Sequence, residues 1–493
     1  MTPTRDCLTV WTPLPPERNG IADYAFSLLG GLAAHYECRV ACDDWFGQAP
    51  EAMPVIDPAL VHRGAGPRVL HQIGNNPGHG FVLRGMRGMP GVTTLHDPGL
   101  LYLHETAGED AATIRAGMAA ALPGLAAVYG RQHREHGIQT RANHLLFDLA
   151  GEVLARSRAV VVHSEFARNR LRLVHGPAAT AHVAVIPHFL PPDPLPSGAG
   201  SGRAAARARL GLPAEGFLVV TAGFATEAKR FDWLIEALDV ALGRGAALHW
   251  IHAGAERAEE YALSAAIAER PAVAARTEVT GYLDATALDD HIAAADVLVN
   301  LRFPSGGESS GSLARAFACG TCCIVSDTAA YAELPRDAVL QVPLAGAVGT
   351  LAAVLCALAA EPARAAAIGE LGRRFARAEM ALPAVAARYR DVIDNSLDRP
   401  VERTAAAGPS PTLVLDAGPG LQAWHLEAAL AGRRGACRLL LAVADLAMLA
   451  DLTIDRPGLL AELLPITARL RAVRVEVAPR PGLLLDLDLG GAA

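Results

Sequence analysis

"FLVVTAGFATEAKRFDWLIEAL", residues 217–238, reads as a strand, a loop and a helix in immediate succession. The first five residues are apolar or β-branched without polar alternation, the pattern of a parallel strand buried on both faces. Gly223 ends the run, and "RFDWLIEAL" has the length and patterning of an amphipathic helix. The loop between them holds Lys229, the one lysine in a chain whose 44 basic residues are otherwise arginine. A cation at a strand's carboxyl end, beside a helix N-terminus, is disfavoured by the helix dipole unless an anion lies between them. That placement points to a bound phosphate; the competing reading is a solvated lysine that survived a coding bias toward Ala, Arg and Gly.

The same strand–loop–helix unit recurs on both sides. Downstream, "ALHWIHAG" (247–254), "TEVTGY" (277–282), "DVLVNLR" (296–302), "CCIVSD" (322–327) and "VLQVP" (339–343) are strands with helices between them. Upstream, strands are expected at 7–13, 38–44, 68–74, 91–97, 159–164 and 182–188, with a helix over 20–34. Strands alternating with helices give an α/β fold of doubly wound parallel sheets. "FLPPDPLPSGAGSGR" (189–203) continues neither element and is the domain linker. The organisation expected is a first Rossmann-like domain over 1–190 and a second over 204–360. Residues 361–397 are helical, a breaker spans 400–412, and 413–493 form an extension of strand–helix–strand flavour with no assigned chemistry. Two such domains face each other across a cleft, with ligands at the carboxyl ends of their strands.

Size agrees: 493 residues and 51.5 kDa call for two or three domains. A hydrophobic fraction of 51% against 19% charged describes a chain with large cores. A formal charge of -7 argues against a nucleic-acid binder that works through a general positive field. No signal-like leader or long apolar span is apparent, so a soluble, cytoplasmic protein is expected. Eight dispersed cysteines read as buried or free thiols.

Several strand ends carry candidate chemistry. Gly20 opens a helix after a proline-rich turn, where amide groups can approach a phosphate; a plain turn glycine explains it equally. "HQIGNNPGH" offers His71, Asn75, Asn76 and His79 to sugar hydroxyls, or simply forms an Asn turn. "TTLHDPG" leaves His96 and Asp97 at a strand end, as ligands or as a structural pair. "RFPSGGESSGSLARAFACG" is the richest segment. Its Glu308 can accept from two hydroxyls, and the helix start at Ser309, Ser310, Gly311 and Ser312 can hold a phosphate or sugar oxygen. Glu308 reads alternatively as a helix-start carboxylate.

Taken in order, "PLPPERNGIADYAFSLL", "HQIGNNPGH", "TTLHDPG", "VVVHSEFARNRL", "VIPHF", "AGFATEAKRFDWLIEAL", "VTGYLDATALDDHIAAADVLVNLRFPSGGESSGSLARAFACG" and "IVSDTAAYAELP" resemble glycosyltransferase family 4, over roughly residues 8–397. The wording is most similar to bacterial transferases of surface-polysaccharide type. The resemblance implies a GT-B fold and a retaining, metal-independent hexosyltransferase-like enzyme acting from a nucleoside diphosphate sugar, GDP- or UDP-linked, with no further cofactor. It implies an acceptor that is a saccharide or lipid-linked saccharide, work at the inner face of a membrane with peripheral association, and no nucleic acid partner. By position, Lys229 and Gly20 would bind the diphosphate, Glu308 the donor sugar, and His96 the region of the reacting carbon. Ser309 to Ser312 would hold sugar and phosphate, Tyr282 would lie near the base, and helix 361–397 would cross back onto the first domain.

Two positions depart from the family pattern. Phe224 stands where an arginine commonly pairs with the lysine, leaving Arg230 as the candidate replacement. The family's second glutamate falls at Ala316, or at Arg315 with one residue of gap. Those losses motivate a rival reading, a silent sugar-binding scaffold subunit. An epimerase or phosphorylase of the same fold is a further alternative, although a phosphorylase lacks an evident second anion site. A dinucleotide oxidoreductase would need G-x-G-x-x-G, which "PPERNG" does not supply.

Overall fold

The computed structural model describes residues 5–17, 19–44, 46–50, 53–61, 66–109, 111–122, 124–125, 146–191, 202–401, 412–417, 423–431, 435–445, 448, 468–476 and 481–489. Of the two breakers read from the sequence, residues 192–201 and 402–411 lie outside that set. Packing groups Met1–Pro98 with Ser157–Pro400 in one unit, and Gly99–Arg156 with Val401–Ala493 in another.

The first unit holds two parallel sheets. The seven strands of the first are β1 (Cys7–Trp11), β2 (Glu37–Ala41), β3 (Val55–Ile56), β4 (Arg68–Ile73), β5 (Val92–Leu95), β6 (Ala159–Val162) and β7 (Val183–Val185). Their order is β3-β2-β1-β4-β5-β6-β7, every neighbour parallel. Helix α1 (Gly20–Leu32) follows β1, and α2 (Glu165–Ala179, broken at Gly176) follows β6. All expected strands are present; the addition is β3, two residues too short to leave a periodic signal.

The second sheet comprises β8 (Phe217–Ala222), β9 (Leu248–Ala253), β10 (Thr277–Val279), β11 (Val297–Asn300), β12 (Cys322–Ser326) and β13 (Leu340–Val342), ordered β10-β9-β8-β11-β12-β13 and again all parallel. Helices α3 (Phe231–Gly243), α4 (Ala285–Ala294) and α5 (Gly311–Cys319) cover it. Its strands bury both faces, as the unalternated run of 217–221 requires. Phe217 and Val219 enter one core with Trp250, Val297 and Ile324, while Leu218 and Val220 enter the other with Ile251, Leu298 and Val325. The adjacent Cys322 and Cys323 divide between these cores, and all eight cysteines are free.

The helical stretch expected over 361–397 is two helices, α6 (Pro362–Glu379) and α7 (Leu382–Asn395), with Pro383 in the first turn of α7 where its missing N–H costs nothing. Helix α6 stays with the second sheet. Helix α7 gives Val385, Ala386, Tyr389 and Ile393 to the core of the first, beside Leu8, Val10 and Leu28. Tyr389 Oη lies 3.0 Å from Tyr24 Oη and 3.2 Å from Thr94 Oγ1 inside that core. The two crossings of the chain touch, Leu190 N–H donating to Met380 O at 2.8 Å.

The other unit contains β14 (Thr412–Asp416), β15 (Gly435–Ala442), β16 (Ala468–Glu476) and β17 (Gly482–Leu489), ordered β14-β15-β17-β16. Only β14 and β15 pair in parallel. The helix Ala423–Leu430 covers one face through Leu426 and Leu430. Among the described residues, no single helix is long and apolar enough to cross a membrane.

Candidate functional site

In each parallel sheet the connections diverge to either side at one point, leaving a crevice at the strands' carboxyl ends. That point lies between β1 and β4 in the first sheet and between β8 and β11 in the second. The loops leaving those four strands carry Gly20, the 74–79 turn, Lys229 and Glu308.

On the second half, Gly223 follows β8 at φ +77, and a Cβ there would stand 3.1 Å from Lys229 Nζ and 3.8 Å from Ser312 Oγ. The chain approaches itself so closely that a Cβ on Gly254 would meet Gly223 O at 2.2 Å. A short 3-10 turn, Glu227–Lys229, folds Lys229 back so that Nζ donates to Ala222 O at 2.6 Å. Burial and the nearby Arg302 guanidinium hold the Lys229 pKa well below the usual lysine value. Among the described residues Lys229 makes no ion pair. Arg230 adopts φ +53 between this turn and α3, and its guanidinium pairs with Asp232 and stacks 4.3 Å from the Trp233 ring centroid. The replacement cation expected at Arg230 is therefore engaged elsewhere, by partners on its own helix.

Glu308 Oε2 accepts from Ser305 Oγ at 3.1 Å and from Gly306 N–H at 2.8 Å. Ser309 follows, half-buried, and Ser310 caps α5, its Oγ accepting from Leu313 N–H at 3.2 Å while donating to Asn300 Oδ1. Gly311 and Ser312 open α5, and their N–H groups have no acceptor within the helix. Ala316 is buried in the core, whereas Arg315 lines the cleft and donates from Nη1 to both Asp289 oxygens, at 2.7 and 2.8 Å. Phe224 faces Tyr282 with centroids 6.3 Å apart, and the Arg257 guanidinium sits 4.1 Å over the Phe224 ring.

On the first half, Asn19 Oδ1 caps α1 by accepting from Ile21 N–H at 2.9 Å. Asn19 Nδ2 donates to His79 Nε2 at 3.3 Å, and His79 Nδ1 donates to Gln72 O at 2.9 Å. His79, expected to meet sugar hydroxyls, is instead fully buried and braces Asn19. His71 is a correction of the same kind, buried in β4 against Trp11. Asn76 caps its own turn through Gly78 N–H, and Asn75 N–H donates to Asp97 Oδ2 at 3.0 Å.

His96, expected to face the reacting centre, has both ring nitrogens occupied and is 8% exposed. His163 donates from Nδ1 to Ile186 O (2.9 Å), its Nε2 lies 3.2 Å from His96 Nδ1, and His96 Nε2 lies 2.7 Å from Gln72 Oε1. The Tyr24 ring packs edge-on against His96 and His188, at 4.7 and 5.0 Å. Burial depresses the pKa of His163 to about 4 and of His188 to about 3, so this cluster is neutral.

Both halves line one cleft of about 270 Å³, open to solvent. Asn19, Gly20, Asp23, Tyr24 and His188 come from the first; Gly223, Phe224, Tyr282, Gly311, Ser312 and Arg315 come from the second. The halves also meet electrostatically. Burial pushes the Asp97 carboxyl up to about 6 against the opposing Asn75 N–H, and the Glu308 charge adds to the rise. Residues 216–361 match the family model of glycosyl transferases group 1. No curated protein sequence matches the chain. A sucrose-phosphate synthase from Thermosynechococcus elongatus is similar in structure, with TM-score 0.57 and 19% identity over 79% of this chain and 99% of that one. WaaG, a glycosyltransferase involved in lipopolysaccharide biosynthesis, gives TM-score 0.52 and 17% identity over 79% and 99%. HepE from Anabaena, solved with UDP and glucose, gives TM-score 0.53 and 13% identity over 79% and 100%. The fold is GT-B.

Sequence reading missed Arg302, Arg315, Tyr24, His163 and His188. His163 and His188 do stand in the strand-end motifs "VVVHSEF" and "VIPHF". Nothing local marks them, because their partners come from distant strands.

Proposed function

We propose that the chain is a retaining glycosyltransferase that moves a sugar from a nucleoside diphosphate sugar to a hydroxyl of a saccharide or lipid-linked saccharide, in the biosynthesis of a surface polysaccharide. One observation carries this reading: a half-buried lysine, with no ion pair among the described residues, stands at the second sheet's crevice beside Gly223, Ser312 and the open N-terminus of α5. Amide groups and a lysine without a counter-charge converging on one point form a seat for an anion, which the lysine meets as an ammonium. In the reaction the bond between anomeric carbon and diphosphate oxygen breaks, and charge gathers on the departing diphosphate. Lys229, Arg302 and the α5 amides stabilise that charge more as it grows, which is where rate acceleration comes from. We assign this neutralisation to protein groups, with no metal ion or cofactor.

Glu308 accepts from donor-sugar hydroxyls, and Phe224, Tyr282 and Arg257 form the wall for the base. The UDP and glucose of HepE suggest uridine as the first base to try. The acceptor hydroxyl approaches from the first half, on the face the nucleotide leaves, and its proton goes to the departing diphosphate. Work at the inner face of a membrane follows from a lipid-linked acceptor.

The test is release of nucleoside diphosphate from a panel of nucleotide sugars, with and without saccharide acceptors. Lys229→Ala abolishes release and weakens UDP binding at least about tenfold, the equivalent of one charge-assisted contact; unchanged kinetics would sink the phosphate assignment. Phe224 and Ala316, where the resemblance expects charged groups, favour a second reading as a silent sugar-binding subunit. Sugar or nucleotide binding without turnover across the whole panel selects that reading.

A further inference from the structure

The loop that carries Glu308 is not supported by its own half alone. Arg170, in the second turn of α2 on the first half, donates from Nη1 to Gly306 O at 3.0 Å. Gly306 N–H donates in turn to Glu308 Oε2, so the residue is held at one end by the opposite half and at the other by the carboxylate it orients. Gly307 stands at φ +103, and a Cβ there would lie 2.9 Å from the Phe166 ring of α2. The loop is thus moulded onto α2. A second tie runs the other way: the Glu333 carboxylate of the second half accepts from the N–H groups of Glu165 and Phe166. With Ser164 Oγ accepting from Ala167 N–H, the first three free amides of α2 are all satisfied, two by a residue from across the cleft.

We infer that Arg170 and Glu333 interlock the two halves, and that Arg170 is a positioning residue for Glu308, holding the 305–308 loop whose Gly306 N–H fixes the carboxylate. The role of Glu308 rests on the transferase reading; the interlock does not. Opening the halves would break the Arg170 and Glu333 contacts together, release the Gly306 carbonyl and let Glu308 lose its fixed donors. The contacts are few and at most part-buried, so they can break and re-form within a catalytic cycle.

The experiment combines hydrogen–deuterium exchange of the full chain, without ligand, with steady-state kinetics on Arg170→Ala, Arg170→Lys and Glu333→Ala. Both alanine variants should exchange faster in residues 163–172 and 303–312, with far-UV circular dichroism unchanged. Arg170→Ala should lower kcat about tenfold, the scale of one lost oriented hydrogen bond, while the Kd for UDP stays within about twofold. Arg170→Lys keeps a donor for one carbonyl and should recover most of kcat. Unchanged exchange in both segments overturns the interlock. Faster exchange with an unaltered kcat, or a kcat that lysine does not recover, overturns the positioning role. If the native protein turns over no nucleotide sugar, the transferase reading fails, and exchange in the two segments still decides the interlock.

Discussion

Lys229 is the residue on which most depends. Burial disfavours its charged form, and the nearby Arg302 disfavours it further. A diphosphate in the crevice supplies the missing counter-charge and raises the lysine pKa. Binding of UDP between the lowered pKa of the free enzyme and the raised pKa of the complex is therefore accompanied by proton uptake, and affinity weakens as pH rises across that range. Calorimetry in two buffers of different ionisation enthalpy measures that uptake; none at all would mean that the ammonium is already charged or does not meet the phosphate. The sequence disclosed this residue because it is unique and sits at a strand end. It did not disclose Arg302 as the neighbour, since one arginine among many carries no compositional mark, nor that Arg230 turns toward Asp232 and Trp233.

Among elements, strands were the most legible part, because parallel strands buried on both faces write themselves as unbroken apolar runs. The strand β17, read in "GLLLDLDL", escaped because nothing in the sequence says that it inserts between β15 and β16. The site was less legible than the fold: His79 and His96 stand at the expected strand ends, yet their nitrogens are spent on Asn19, Gln72 and His163. Strand-end position places a side chain near a cleft, and only the tertiary partners decide whether it points in. Helix α7 illustrates the packing counterpart. Its Tyr389 hydroxyl meets Tyr24 and Thr94 where no water reaches. Tyr389→Phe leaves those two buried hydroxyls short of a partner and should cost about 1–3 kcal/mol. Urea unfolding should show a lower midpoint at unchanged m; an unmoved midpoint would show that the pair contributes nothing.

At the level of the whole molecule, buried neutral histidines set the response to acid. His79 and His163 have pKa values lowered to about 4, and His71 and His188 to about 3, in each case by burial. An unfolded chain takes up these protons near the ordinary pKa of 6.5, so folding stability is fully present above that value and is lost as pH falls toward 4 and then 3. Asp97, raised to about 6, works in the opposite sense: it favours the fold at low pH and costs stability as pH rises through 6. His96 and His252 are lowered in the same way, and together the histidines outweigh the raised carboxyls of Asp97, Glu17, Asp23, Asp43 and Asp289, leaving a net loss on acidification. Melting temperatures recorded from pH 7 to pH 4 should decline steadily, and a flat profile would contradict the burial of these rings. The return of α7 has a consequence in time as well as in space. Synthesis is vectorial, and the strands of the first sheet are complete by Val185, yet its core still lacks Val385, Ala386, Tyr389 and Ile393. The amino-terminal half therefore emerges from the ribosome with an apolar face that lacks these four residues until α7 is made, and it must wait for the rest of its partner half before it can close.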